Sequence, residues 1–485
     1  VAFTFALRTF GCQMNVADSE TLARMLAGRG GVQVVQPQLA DLILVNTCVV
    51  RRKAEDKAHS FIGGLRPLTR DEKGAVSVRM DAPLHWAPES LPPDILSEHA
   101  ARPPFIAVIG CLVPLNARFV RSKFPYVNLF VKTSEPAVVM SELAQAFALP
   151  SEREPAETAA AQLGTESAAA ASCTEAASGD EEALAGCPAL AFPRHSAFVN
   201  VVRGCNHGCS FCIVPRVRGR EVSVPVAEVV AEVRSLHESG YRHITLLGQN
   251  IVSYGSDWKR RPGFVELMDA VLSQTEVPWL SFLTSHPADL APEMIARVLS
   301  QERVTPLLHL PIQSGCNRIL GLMRRQHTVA EYLDKIELVR RTRPDIFLAT
   351  DIIVGFPGET REEFAQTLAL MERVRFNDAF MFAYSPRAGT PAAKYDDPQS
   401  RAEKRAWLNE LIALQRGIAH EVNQRYVGTT LPAIVEGARG DFAVVRTAFN
   451  KPVTIPQTAR QPGEFTQVRI DEVAVSAFRG VEVNA

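Results

Sequence analysis

Several things are missing from this 485-residue chain, and each absence excludes something. There is no charge excess: the formal net charge is −1, which argues against an indiscriminate polyanion binder. No apolar run approaches the roughly 18 residues that a membrane-spanning helix needs. The opening stretch, VAFTFALRTFGCQMN, lacks a basic region, a long apolar segment and a small-residue cleavage site, so a cytoplasmic protein is expected. Aromatics are sparse at 7 %, yet hydrophobic residues reach 46 %, enough for buried cores across two to four domains. The nine cysteines are odd in number, which rules out a complete disulfide set. In a reducing compartment, clustered thiols read instead as metal ligands or catalytic groups.

The near-neutral total hides an asymmetry. Segment 151–190 carries eight acidic residues against one arginine, and thirteen of its residues are alanine. It has little apolar surface to bury, so a disordered or loosely helical linker is expected, with Cys173 and Cys187 as incidental thiols. The rest of the chain keeps a mild positive bias, compatible with nucleic acid without demanding it.

Either side of that linker the pattern is regular. FTFALRT (3–9), DLILVN (41–46) and FIAVIG (105–110) read as buried strands, with helices at 17–28 and 51–64 between them. This predicts an α/β domain with a largely parallel sheet, interrupted by a polar insertion at 70–104. From 192 to about 390 six strand–helix units follow, predicting a partial (β/α)6 barrel. Their strands are AFVNVV (197–202), HITLLG (243–248), LSFLTS (280–285), LLHLPI (307–312), FLATDIIVG (347–355) and AFMFAYS (379–385). A helix at 401–423 leads to short alternating strands after Gly428, the pattern of a small β-barrel. The expected division is 1–146, a linker at 147–190, then 191–424 and 425–485.

Chemistry concentrates in the cysteines. Cys205, Cys209 and Cys212 fall in RGCNHGCSFC, directly after the first barrel strand. Three thiolates on one tight loop can hold three irons of a four-iron cluster and leave the fourth open to a small ligand. Zinc, with His207 or a remote fourth ligand, is the alternative. Cys12, Cys48 and Cys111 share no spacing motif, but each follows a predicted strand directly, in RTFGCQMN, VNTCVVR and VIGCLVP. Parallel strands deliver their C-terminal ends to one sheet edge, so these thiols should converge there, unless they are ordinary buried cysteines. The other polar groups of the barrel strands also fall at strand ends: Gln249 and Asn250, Thr284 to His286, Gln313 and Ser314, GFPGE (355–359), and Tyr384 to Arg387. Each could instead be a capped loop residue. His309, in mid-strand, reads as a satisfied core histidine. The basic groups at Arg216, Arg218 and Arg220, at 259–261, and at Arg324 and Arg325 read as solvated charge.

The CxxxCxxC loop with Phe211 before its last cysteine resembles the signature of the radical S-adenosylmethionine (SAM) superfamily. The resemblance narrows over GCQMNVADSE (11–20), NTCVVRRKAEDK (46–57), RGCNHGCSFCIVPRVRGRE (203–221), LLGQNIVSYG (246–255), HLPIQSG (309–315) and ATDIIVGFPGET (349–360). In family order these stretches resemble the methylthiotransferases, and within them the tRNA-modifying branch. That resemblance implies two 4Fe-4S clusters, an auxiliary one on Cys12, Cys48 and Cys111 and a SAM-cleaving one on Cys205, Cys209 and Cys212. It implies SAM contacts from Phe211, Gln249, Gln313, Ser314, Asp351, Gly355, Gly358 and Glu359. It implies a C-terminal TRAM domain that binds RNA. The implied reaction consumes two SAM molecules. One methylates a sulfur on the auxiliary cluster, and the other yields the radical that activates C2 of isopentenyl-adenosine beside the tRNA anticodon. Implied partners are tRNA, a low-potential electron donor and a sulfur donor, with the enzyme a monomer and no membrane involved. Two other readings remain at this point: a methylthiotransferase for a ribosomal-protein aspartate, and a non-catalytic two-cluster electron carrier.

Overall fold

The computed structural model describes residues 3–50, 52–68, 103–147, 149, 195–259, 262–475 and 477–483. The expected insertion up to 102, the linker at 151–190 with Cys173 and Cys187, and Arg260 and Arg261 lie outside the described residues. The chain divides into two compact units, 1–191 and 192–485.

The first unit is one five-stranded sheet, all parallel, in the order β2-β1-β3-β4-β5. The strands are β1 Phe3–Phe10, β2 Gly31–Gln33, β3 Leu42–Thr47, β4 Phe105–Gly110 and β5 Leu129–Val131. β3 is buried at all six positions, which is why it reads as an unbroken apolar run rather than an alternation. The sheet is flanked by α1 Gln13–Gly28, α2 Arg52–Gly64, α3 Leu112–Lys123 and α4 Pro136–Ala146. Expectation missed β2 and β5, three-residue strands at the sheet edges and too short to show a period.

In the second unit six strands run parallel in chain order. β6 Ser196–Asn200, β9 His243–Leu247 and β10 Trp279–Leu283 pair as one set; β11 Leu307–His309, β12 Phe347–Val354 and β13 Asp378–Ala383 pair as another. A parallel bridge between Leu280 and Val304 links the two sets. This is the expected open (β/α)6 arrangement. A short ribbon of β7 Val202–Arg203 with β8 Val222–Ser223 brackets the cysteine loop. Between β8 and β9 lies the helix Val226–Glu238, which buries Val229, Val230, Val233 and Leu236 on one face. Gly240 stops it at φ +96°, a conformation that favours glycine. β11 is shorter than expected because Pro311 lacks an amide to donate and Gln313 turns left-handed at φ +76°.

The helix Arg401–Asn423 begins with a reciprocal cap: Ser400 Oγ accepts from the Glu403 amide, and Glu403 accepts from that of Ser400. Trp407 on this helix stacks on Phe364 at 5.2 Å. After it come β14 Thr430–Arg439, β15 Phe442–Thr447, β16 Pro452–Pro456, β17 Phe465–Val473 and β18 Phe478–Val483, closed in the order β14-β15-β16-β18-β17. The barrel shares a hydrophobic cluster with the six-stranded part. Phe449 stacks on Phe347 at 5.1 Å and on Tyr426 at 5.0 Å, and Trp279 meets the edge of Phe465. Among the described residues no helix is long and apolar enough to cross a membrane.

Candidate functional site

In the first unit, sheet register sets the geometry. Phe10 lies beside Thr47, and Thr47 beside Gly110, so the chain leaves β1, β3 and β4 at one level of the same edge. Cys48 and Cys111 are the next residues, and Cys12 is the second after β1. The three thiols meet: Cys48 hydrogen-bonds with Cys12 and lies within electrostatic reach of Cys111. The Cys12 contact, burial and the charges of Cys12 and Cys111 push the Cys48 thiol well above its ordinary value. Thiolates form in such a place when a cation balances them, the electrostatic setting of a metal or cluster site.

The support behind these thiols is amide chemistry. Asn15 and Asn46 are fully buried; Asn15 Nδ2 donates to Asn46 Oδ1 at 2.8 Å and to the Thr47 carbonyl at 3.1 Å. Asn46 Nδ2 donates in turn to the Asn15 carbonyl and to Ser19 Oγ. Cys12 Sγ lies 3.2 Å from Asn15 Oδ1, so the network reaches the thiol itself. Gly110 admits the close crossing, since a Cβ there would sit 2.5 Å from the Thr47 carbonyl oxygen.

In the second unit, the loop from Gly204 to Ile213 carries Cys205, Cys209 and Cys212, and all three line one cavity of about 670 Å3. Gly204, at φ +81°, brings the loop so close to the returning chain that a Cβ would lie 2.0 Å from the Arg220 carbonyl oxygen. Glu221 braces the loop from behind, accepting from the Asn206 side chain and from Ser253 and Ser256. Ser210 is held at both ends: its amide donates to the Met323 carbonyl and its carbonyl accepts from Ala392. Burial pushes the Cys205 thiol up to about 11 and the Cys212 thiol up to about 12. Phe211 packs against the apolar cluster of Cys316, Met323, Phe356 and Tyr384.

His207, the candidate fourth zinc ligand, is directed elsewhere. Its Nε2 meets Asp289 Oδ2 at 2.6 Å, and its ring stacks on His286 at 3.8 Å. Asn250 locks the group, donating to Asp289 and accepting from the His286 amide. Burial works to raise the Asp289 carboxyl, but His207, Asn250 and Lys335 outweigh it and hold it below its ordinary range.

The remaining expected contacts fall at strand ends, apart from Asp351 in the middle of β12, and none of them lines the cysteine cavity. Gln313 is buried at φ +76°, exchanging backbone hydrogen bonds with Asp351 and Ile353. Ser314 is fully buried, and its hydroxyl accepts from the Cys316 amide. Asp351 Oδ1 lies 3.1 Å from His309 Nε2. Glu359 uses one oxygen to accept from the amides of Gly355 and Phe356, closing the GFPGE turn in which Gly355 and Gly358 both have positive φ. Gln249 is half-buried just past β9.

Among the described residues, the buried polar atoms at these strand ends without a protein partner include Ser285 Oγ, His286 Nε2, Gln313 Oε1, Glu359 Oε1 and Tyr384 Oη. An unpaired buried polar group costs about 1–3 kcal/mol, a cost that a hydrogen-bonding ligand at any of them would relieve. A ligand bearing hydroxyl, amino and ring-nitrogen groups, as SAM does, fits that demand.

The arrangement missed by sequence reasoning is Arg325. It was expected as solvated charge, but it is only 5 % exposed, and its Nη1 reaches Cys209 Sγ at 3.5 Å. Nothing in a run reading MRRQHT separates an inward arginine from an outward one.

A three-cysteine loop after the first strand of an open six-stranded parallel barrel defines a radical SAM enzyme. Residues 199–371 match the Radical SAM superfamily, and residues 4–79 match a group described as Uncharacterized protein family UPF0004. That superfamily implies a 4Fe-4S cluster and SAM. The tRNA-2-methylthio-N(6)-dimethylallyladenosine synthase of Carboxydothermus hydrogenoformans is 35 % identical over 486 residues, spanning 99 % of each chain. Its namesake in Geobacter metallireducens is 36 % identical over 96 % of this chain and 95 % of its own. The one in Trichlorobacter lovleyi is 38 % identical over 88 % of this chain and 87 % of its own. In fold, the chain is similar to a radical SAM methyltransferase, TsrM, from Kitasatospora setae. That likeness has a TM-score of 0.51 and 13 % identity over 81 % of this chain and 77 % of that one. The chain belongs to the tRNA-2-methylthio-N(6)-dimethylallyladenosine synthase family of methylthiotransferases.

Proposed function

We propose that this enzyme attaches a methylthio group to C2 of isopentenyl-adenosine beside the anticodon of tRNA, working in the cytoplasm. The observation that carries the reading is the pair of three-thiol sites, each assembled where parallel strands end, in a chain related over its full length to enzymes named for this product. Cys205, Cys209 and Cys212 would hold the SAM-binding cluster, and Cys12, Cys48 and Cys111 the auxiliary one. When bound, these groups supply an electron to cleave SAM and a sulfur to transfer, chemistry that an unactivated aromatic C–H requires and acid–base groups cannot provide.

The chain's own residues do the positioning. Asn15 and Asn46 fix the auxiliary thiols, and Gly204 with Glu221 fixes the SAM-cluster loop. Ser285, Gln313, Glu359 and Tyr384 offer SAM the buried hydrogen bonds that the protein leaves open. The C-terminal barrel acts as the RNA-binding TRAM domain. The exchange of hydrogen for a methylthio group calls for a sulfur donor and a low-potential electron donor as partners. No observation favours a ribosomal-protein aspartate as substrate, or electron transfer alone.

Nucleoside analysis tests the substrate. A strain lacking this gene should accumulate tRNA isopentenyl-adenosine without its methylthio derivative, and restoring the gene should restore the derivative. Persistent methylthio-isopentenyl-adenosine in the deletion strain refutes the assignment. Absence of 5′-deoxyadenosine from the reduced, iron-loaded enzyme with SAM refutes the chemistry.

A further inference from the structure

Arg325 is a buried guanidinium that no carboxylate pairs with among the described residues. Its hydrogen bonds go to the Pro311 carbonyl at 2.8 Å and to Cys209 Sγ at 3.5 Å, and its Nε meets no protein acceptor. An arginine keeps its charge at any pH a protein survives, so it cannot escape burial by neutralising. A buried charge left without a counter-ion is strongly destabilising. The neighbouring rings supply no anion either. His286 and His327 are both buried, and burial, followed by the charge of Arg325, lowers their proton affinity, that of His327 to about 4.

The backbone shows that the placement is enforced. Arg324 and Gln326, on either side, both adopt left-handed conformations at φ +59° and +54°, which cost non-glycine residues about 1–2 kcal/mol each. The Arg325 amide is tied to the Leu320 carbonyl, and the Arg325 carbonyl to His327 Nδ1 at 2.8 Å. The turn therefore spends strain to point one arginine inward at a cysteine sulfur and leaves its neighbour, Arg324, lining the cavity.

We propose that the missing counter-ion of Arg325 is the thiolate-held SAM-binding cluster, and that Arg325 is a positioning residue that makes this cluster easier to reduce. A cluster on three thiolates is anionic and gains a further negative charge on reduction. A fixed cation donating to one of its sulfurs stabilises the reduced form more than the oxidised one. The inference rests on the reading that Cys205, Cys209 and Cys212 hold that cluster.

The test is a redox titration of the iron-loaded full-length enzyme, followed by electron paramagnetic resonance, on the cluster whose signal changes when SAM is added. Relative to the unmodified enzyme, Arg325→Met should lower the reduced-to-oxidised ratio of that cluster at fixed potential at least tenfold. For one electron this is a midpoint shift of about 59 mV. The cluster that does not respond to SAM should keep its midpoint, and Arg325→Lys, which keeps the charge, should recover most of the shift. If Arg325→Met fails to retain iron, Arg325→Gln, neutral but able to donate, carries the same measurement. A neutral variant with full iron and an unchanged midpoint overturns the proposal. Absence of any SAM-responsive cluster in the unmodified enzyme would instead count against the reading of the three cysteines.

Discussion

Replacing Asp397 by alanine strands a buried charge under the GFPGE turn. Lys404 is 5 % exposed, its ammonium is held by both Asp397 oxygens at 2.5 and 2.6 Å, and it lies over the Tyr384 ring. Its stem presses against Gly355, where a Cβ would sit 2.5 Å from Lys404 Cγ. The two partners are unequal, since the Asp397 side chain is 29 % exposed and the Lys404 side chain 6 %. Removing the aspartate leaves an ammonium that water cannot reach, at a cost of about 3–5 kcal/mol. Lys404→Met removes the buried charge and keeps the stem, leaving a carboxylate that water can solvate, so its cost should be about 1 kcal/mol or less. Hydrogen exchange read by mass spectrometry over 398–415 measures the difference. Amides there should exchange about 10²- to 4 × 10³-fold faster in Asp397→Ala, and no more than about tenfold faster in Lys404→Met. The double variant should resemble Lys404→Met. Equal losses in the two single variants, or additive losses in the double, refute the reasoning.

Three further outcomes follow from the sites. Cys48→Ser should reduce iron from roughly eight to roughly four per chain while leaving SAM cleavage measurable; full iron content would remove Cys48 from the auxiliary site. Burial raises the Glu359 carboxyl to about 7, with the amides of Phe356 and Gly355 opposing, so the native state holds an extra proton between pH 4.5 and 7. Stability from this group therefore falls as pH rises through that window, by roughly 3 kcal/mol, and Glu359→Gln should remove that contribution from denaturant midpoints taken across it. Gly204→Ala should cost more than the roughly 1–2 kcal/mol of its left-handed backbone, because the Arg220 backbone must also move. A variant that kept full iron at both sites and wild-type thermal stability would contradict the close crossing.

Much of the architecture was legible because its strands are buried on both faces and its helices on one. The run LILVN and the spacing of Val229, Val230, Val233 and Leu236 each admit one reading. The last barrel strand was not legible. In FRGVEV, Gly480 stands where a side chain would meet the Arg469 carbonyl oxygen at 2.2 Å, so the inward face shows a gap instead of an apolar residue. The cysteines were placed from strand ends, since parallel topology turns order in sequence into nearness at an edge. The groups that touch or brace them were not, because Asn15, Asn46 and Arg325 act across 31 to 116 residues of chain and leave no local pattern. Ser314 and Asp351 were read as contacts for a ligand; their hydroxyl and carboxylate also serve neighbouring residues of the chain.

The aromatic seam of Phe347, Phe449 and Tyr426 bears on how far a bound nucleic acid could wander. Phe347 opens β12, the strand that ends at the GFPGE turn, and Phe449 belongs to the barrel. A module hung on a flexible tether must search for the reacting centre at each encounter. On the proposed reading of the barrel as the RNA-binding module, its seat on β12, the strand leading into the GFPGE turn, makes it a fixed gauge: the length of RNA between barrel and reacting base is set by protein geometry. Loosening the seam would then be felt as lost accuracy in choosing the nucleotide before it was felt as lost affinity for the strand.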